Sequence, residues 1–391
     1  MKKDEERTPL TLEDLQDFLA ESGVLVRYNV ISKELQVMGM PGAYNPETLV
    51  ADLHVILHDY LKRVFRCSKD QVADLLGVIA GMERVNPVTN MLAMTSWDGK
   101  DRLEELYRVL DLPEDDALSR TLLRKWLMQS VAMARNELKG AYGADGMLVL
   151  CGPQGAGKTS LVRALGVDPG LYKLGQWLDA RDKDTFRRCT SAWIVELGEL
   201  ETTLRSDLER LKAFVTAERD EYRLPYGRAD QVLARRTSLV ATCNSDQFLI
   251  DPTGSRRFWT VPVRKIDLEA LREMDMLQLW KQAETELDRE GGQSFRLTAD
   301  ERHELSRRNT RHEKPLKSQP EIEDILGEAI CEYDAYTWEE MTVSDFKAEY
   351  SSLQRYTVQQ IAIALDRIGI TVRRSNDGPS QRKLRRLPRR K

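Results

Sequence analysis

Short apolar runs alternate with amphipathic stretches through the middle of the chain. The runs Gly146–Leu150 (GMLVL), Ala192–Leu197 (AWIVEL), Thr237–Cys243 (TSLVATC) and Arg256–Val263 (RRFWTVPV) are five to eight residues long. Continuous apolar runs of this length suit strands covered on both faces, and helical spacing between them predicts an α/β core with a parallel sheet over residues 146–263. Ahead of it, residues 1–145 read as a mainly helical N-terminal domain. Both PETLVADLHVILHDYLKRVF and RTLLRKWLMQSVAMARNEL have helical periodicity, the second as a long amphipathic helix leading into the core, while Val24–Val37 alternates with period two like a hairpin. Residues 264–320 start helical and charged (LQLWKQAETELDRE) and become polar and proline-punctuated (RRNTRHEKPLKSQPE), which reads as a helical extension and linker. Residues 321–391 pattern as short helices followed by a strand and basic residues. That order suits either a small winged-helix-like domain, whose second helix enters a major groove, or a helical module for protein contacts.

A length of 391 residues fits two or three domains, and 41% hydrophobic with 31% charged residues fits a globular protein with a highly charged surface. No stretch approaches the roughly 20 apolar residues of a membrane span. The start, MKKDEERTPLTLEDL, has charge without a following apolar segment, so a cytoplasmic protein without membrane contact is expected. The five cysteines are scattered without CxxC spacing, which supports neither a disulfide framework nor a zinc site. His54 and His58 lie four apart but lack a third ligand and read as ordinary helix residues. Net charge is −4, yet the last 20 residues hold nine Lys or Arg against Asp377 alone, including Arg385 and Arg386. Such a basic tail matches a phosphate backbone, although a merely solvated tail has the same composition.

The chemistry concentrates in LCGPQGAGKTSL, residues 150–161. Gly152, Gly157, Lys158 and Thr159 fill the pattern G-x-x-x-x-G-K-[ST], with Gly155 and Ser160 in the same loop. Glycines let backbone N–H groups wrap a phosphate chain, Lys158 reaches the outer phosphates and Thr159 offers its hydroxyl to Mg²⁺. ATP and Mg²⁺ are therefore the expected cofactors. The run AWIVELGELE delivers Glu196 and Glu199 at a strand end, where one carboxylate can hold the metal through water and the other can polarise the attacking water; the pattern does not say which takes which role. Asn244 follows the next strand and can meet the γ-phosphate and the water. Arg256 and Arg257 precede the last strand, where an arginine can act across a subunit boundary. Between these strands, Arg223, Tyr226 and Arg228 belong to a segment of interleaved basic and aromatic residues that suits a nucleic-acid backbone or, nearly as well, a protein interface.

The linked set, RYN (Arg27–Asn29), NPV, SWDGKDRL, GPQGAGKTS, WIVELGELE, LKAF, YRLPYGR, ATCN and DPTGSRRFWTVPV, resembles the virulence-associated protein E family of phage and genomic-island proteins, itself similar to superfamily 3 helicases. The resemblance spans roughly residues 27–263. It implies an AAA+-like ATPase core with a helical collar, hexameric assembly on DNA, single-stranded by preference, and replication partners such as a primase. It assigns the Walker A role to Gly157, Lys158 and Thr159, the Walker B role to Glu196 and Glu199, sensor and finger roles to Asn244 and to Arg256 or Arg257, and DNA contact to the segment around Arg223–Arg228. An ATP-driven DNA motor or replication-initiation helicase follows, with an ATP-dependent DNA-binding assembly switch as the alternative. A small-molecule kinase is disfavoured, because the Asn244 and Arg256/Arg257 region is arranged like sensor and finger rather than a substrate lid.

Overall fold

The structure, a computed structural model, describes residues 7–42, 44–45, 47–179, 182–198, 208–223, 230–244, 249, 255–312, 318–374 and 383–391. The chain divides into two units, Met1–His312 and Glu313–Lys391.

The first unit begins with helix α1 (Leu12–Glu21), strands β1 (Leu25–Asn29) and β2 (Glu34–Met38), helices α2 (Leu49–Leu61) and α3 (Lys69–Met82), and strand β3 (Arg84–Val85). A reciprocal cap between Thr11 and Asp14 starts α1. The expected hairpin is present as antiparallel β1–β2, and β3 adds to β1 in parallel. Leu53, Leu57 and Leu61, one helical turn apart on α2, pack with Leu15, Leu19, Val26, Val72 and Leu76 in a separate N-terminal core. Helices α4 (Pro87–Ala93), α5 (Arg102–Val109) and α6 (Ala117–Ala134) follow. The amphipathic reading of α6 holds only for its first turns: from Trp126 to Ala134 every side chain is buried. A helix covered on all sides must sit inside the fold, and α6 is fastened there by its polar atoms. Trp126 Nε1 donates to Leu239 O at 2.9 Å and Gln129 Nε2 donates to Gly146 O at 2.8 Å.

Next come β4 (Met147–Cys151), α7 (Lys158–Leu165), β5 (Tyr172–Gln176), α8 (Lys183–Arg188), β6 (Ile194–Leu197), α9 (Leu208–Val215), β7 (Arg219–Arg223), β8 (Asp230–Ala234), β9 (Ser238–Cys243) and β10 (Phe258–Pro262). Five of these strands form the expected parallel sheet in the order β10-β4-β9-β6-β5. Leu148, Leu150, Ile194, Val240 and Trp259 enter the core on one face, and Met147, Val149, Val195, Leu239 and Phe258 enter the core on the other. Strand β5 was not legible as an apolar run because it is only partly covered, whereas β10 at the opposite edge is buried at four of its five residues. The basic and aromatic segment between β6 and β9 was expected as a loop; it contains the antiparallel hairpin β7–β8. Helices α10 (Leu268–Glu273), α11 (Met276–Glu290) and α12 (Ala299–Asn309) complete the unit and share its main core through Leu271, Leu279, Trp280 and Leu305.

The second unit runs α13 (Gln319–Cys331), β11 (Tyr336–Met341), α14 (Val343–Glu349), α15 (Val358–Arg367), β12 (Arg373–Arg374) and β13 (Lys383–Arg390), with sheet order β11-β13-β12. Its core holds Ile322, Leu326, Phe346, Leu353, Ile361, Leu365 and Leu387. The end of the expected basic tail is therefore a strand, Lys383–Arg390, and part of its charge is matched. Arg385 is only 4% exposed and pairs with Asp366 at 2.5 Å, so it is committed to the fold rather than free for DNA. Arg389 pairs with Glu339 and Glu349, and Arg373 with Glu340. Arg386 is exposed.

One buried charge cluster ties the N-terminal sheet to the β7–β8 hairpin. Lys33, in the β1–β2 turn, reaches Asp220 Oδ2 at 2.6 Å, and Arg235 Nε reaches Asp220 Oδ1 at 2.5 Å; all three side chains are 2–3% exposed. Burial pushes the Asp220 carboxyl up, but the Arg235 and Lys33 charges outweigh it and hold the group below the usual carboxylate range. Because the unfolded carboxyl binds protons first, this contribution is full above about pH 4 and is lost as the pH falls below it. Asp220→Ala leaves two buried cations without an anion and is expected to cost about 3–5 kcal/mol, whereas Lys33→Met keeps the Asp220–Arg235 pair and is expected to cost about 1 kcal/mol. Urea denaturation at neutral pH measures both; similar losses for the two variants would contradict this ranking.

Candidate functional site

The strand order decides what meets at the carboxyl edge of the sheet. From β4 the chain crosses to the far strand β5, returns through β6 and β9, and passes β4 again to form β10. The carboxyl ends of β4, β9 and β6 are thereby neighbours beside the first crossover, where ligands bind in sheets of this kind. The loop after β4, the residue after β9 and the third residue of β6 are Lys158's loop, Asn244 and Glu196.

The loop leaves the strand at Gly152, where a Cβ would lie 1.8 Å from Val263 O, so no other residue fits without moving β10's continuation. Gly152 N donates to Cys243 O at 3.1 Å, and Ile266 N donates to Ala156 O at 2.9 Å, which pins the loop at both ends. Gly155 and Gly157 have φ of +82° and +93°, a left-handed conformation that glycine adopts at least cost. Gly157 precedes α7, so the first N–H groups of Lys158, Thr159 and Ser160 lie at a helix N-terminus with its partial positive charge.

Lys158 is 6% exposed. Its Nζ donates to Gly152 O at 2.6 Å, Pro153 O at 2.8 Å and Asn244 Oδ1 at 3.0 Å. No ion pair to it occurs among the described residues. Burial lowers its pKa, with Cys243, Cys151 and Glu196 opposing the shift. A buried cation held only by neutral acceptors suits an incoming anion. Beside it, Thr159 Oγ1 donates to Glu196 Oε1 at 2.8 Å, and Gly175 N donates to Glu196 Oε2 at 3.1 Å. Glu196 is 2% exposed. A hydroxyl and a carboxylate on one side of a phosphate-sized loop are the hard oxygen donors that Mg²⁺ takes, so these residues fit Mg·ATP.

The structure thus gathers Gly152, Gly155, Gly157, Lys158, Thr159, Ser160, Glu196 and Asn244. Arg256 and Arg257 are elsewhere, in a 3-10 turn at Ser255–Arg257 directly before β10. Because Phe258 is in register with Met147 and Pro262 with Cys151, that turn lies at the amino edge of the sheet. Four residue steps separate the two edges, about 13 Å along the strand. Arg223 ends β7; Tyr226 and Arg228 lie in 224–229, and Glu199 in 199–207, outside the described residues. Sequence reasoning missed Gly175, whose N–H orients Glu196; a glycine inside a strand was its only signal.

Among solved structures, the apo C-terminal region of NrS-1 (residues 305–718) is similar over 99% of this chain and 99% of its own, at 13% identity and a TM-score of 0.50. A second structure of that region, the A form, has 13% identity and a TM-score of 0.50 over 97% of this chain and 99% of its own. These likenesses speak to the fold. JCV helicase aligns over 62% of this chain and 74% of its own, with 13% identity and a TM-score of 0.29. No curated protein matches the chain in sequence. The model of the virulence-associated protein E-like domain matches residues 92–314, more than half of the chain and all of the site just described, and the chain belongs to the virulence-associated protein E-like family.

Proposed function

We propose that the chain is a Mg·ATP-hydrolysing DNA motor or replication-initiation helicase of phage or mobile-element type, working as an assembly of copies, a hexameric ring by resemblance. The observation that carries this reading is the convergence of Lys158, Thr159, Glu196 and Asn244 at one sheet edge, with Arg256 and Arg257 at the other. Arginines one strand length from their own phosphate loop suit the loop of a second copy.

Bound Mg²⁺ supplies charge neutralisation at the phosphates. Glu196, oriented by Gly175 N, accepts from Thr159 and holds that hydroxyl beside the carboxylate, so the pair forms the metal's protein side. Lys158 exchanges its neutral acceptors for phosphate oxygens, and Asn244, already in contact with Lys158, registers what occupies the loop. Glu199 is the residue left for polarising water. On the nucleic-acid side, the β7–β8 segment, with Arg223, Tyr226 and Arg228 in its sequence, is the DNA contact, and the second unit adds exposed Arg386 as a winged-helix-like module. Replication proteins such as a primase are the fitting partners.

Lys158→Ala is expected to abolish nucleotide binding and reduce turnover to background, while Glu196→Gln keeps nucleotide binding but lowers turnover on the order of 10²-fold by removing the metal-side charge. Nucleotide titration calorimetry and steady-state hydrolysis check both; normal turnover by a folded Lys158→Ala protein contradicts the assignment. Arg386→Ala is expected to weaken DNA binding and reduce the slope of log K against log[salt] by about one, with the fold unchanged. An unchanged slope in a salt titration removes Arg386 from the DNA surface.

A further inference from the structure

A cavity of about 340 Å³ opens at the amino edge of the sheet, with Arg256, Arg257, Arg296 and Arg302 in its wall against only two acids, Asp145 and Glu218. Arg296 is already spoken for: it reaches Asp145 Oδ1 at 3.3 Å and Gly143 O at 3.4 Å. Asp145 also accepts from Leu297 N at 3.0 Å, which holds the loop before α12 in place. Arg302, in the first turns of α12, has no side-chain partner among the described residues. Arg257 Nε is buried and lacks a partner there as well. A wall with two more positive than negative groups and an unsatisfied buried N–H donor calls for an anion with several oxygens.

We propose that Arg302 is a third arginine of this anion site, acting with Arg256 and Arg257 on the terminal phosphates of a nucleotide held by a second copy of the chain. The proposal rests on the ATPase reading above and goes beyond the pair Arg256/Arg257. The chain's own phosphate loop begins at Gly152, beyond the opposite end of β4, about 13 Å of strand away, so the ligand comes from outside this copy. Arg302 is delivered by α12, outside the sheet, and meets the arginines before β10 from a different direction. Three forks converging on one group bind a dispersed negative charge better than one.

The test uses the full chain. Arg302→Gln is expected to lower ATP turnover at least about tenfold with nucleotide affinity unchanged, and Arg302→Lys to recover part of the loss. Mixing Arg302→Gln protein, reduced in turnover, with inactive Lys158→Ala protein is expected to raise turnover above the sum of the two alone, because one supplies intact phosphate loops and the other intact arginine cavities. A merely structural defect is not repaired by mixing. Wild-type turnover by Arg302→Gln, a loss that mixing leaves unrestored, or a loss of DNA affinity with turnover unchanged overturns the proposal. Turnover that persists without Lys158 overturns the placing of ATP hydrolysis at this loop, and so is told apart from a failure of the Arg302 assignment.

Discussion

Strand β4 has no polar side chain: Met147 through Leu150 are wholly buried and Cys151 is 4% exposed. Such a strand needs apolar cover on two faces and hydrogen-bonded neighbours on two edges, and the rest of the first unit meets those four demands. β9 and β10 fill the edges. One face is covered through α6 and α11, whose indoles Trp126 and Trp280 meet at a centroid distance of 6.3 Å, and Trp280 in turn meets Trp193 of the β6 approach at 4.3 Å. Each of these three indoles also donates to a backbone carbonyl, of Leu239, Leu165 and Ser130, so the cover is fixed in register as well as apolar. With β4 immobilised, the loop that follows it starts from a fixed point.

That immobility gives the two sheet edges different chemistry. At the carboxyl edge, Lys158, Asn244, Thr159 and Glu196 touch in pairs and leave a buried cation facing neutral acceptors. At the amino edge, arginines outnumber acids around an open cavity. A rigid strand of this length keeps the two apart, so within a single copy the Lys158 cluster and the Arg256/Arg257 cavity do not meet. The β7–β8 hairpin enters between them in the chain, and the buried Lys33–Asp220–Arg235 cluster anchors its base to the N-terminal sheet.

Much of this was legible in the sequence, for a physical reason. Strands buried on both faces show as unbroken apolar runs, so β4, β6, β9 and β10 could be read directly, and the glycines around Lys158 fixed the loop. Partly covered strands carry no such mark: β5 (YKLGQ) and β7 (RDEYR) are polar, and Asp220 is buried against Arg235 and against Lys33, which is 187 residues away. The same blindness to distant partners made the C-terminal arginines look uncompensated, since Asp366, Glu339, Glu340 and Glu349 precede them in other elements. Local spacing could not rank Glu196 against Glu199; the structure sets Glu196 against the hydroxyl of Thr159, and Glu199 lies outside the described residues.

We propose that the site at β4 drives movement on DNA and needs a second copy to turn over. The most direct test is steady-state ATP hydrolysis measured against protein concentration, with and without single-stranded DNA. The account predicts a specific activity that rises with protein concentration and is further stimulated by DNA. A specific activity independent of both concentration and DNA would contradict it.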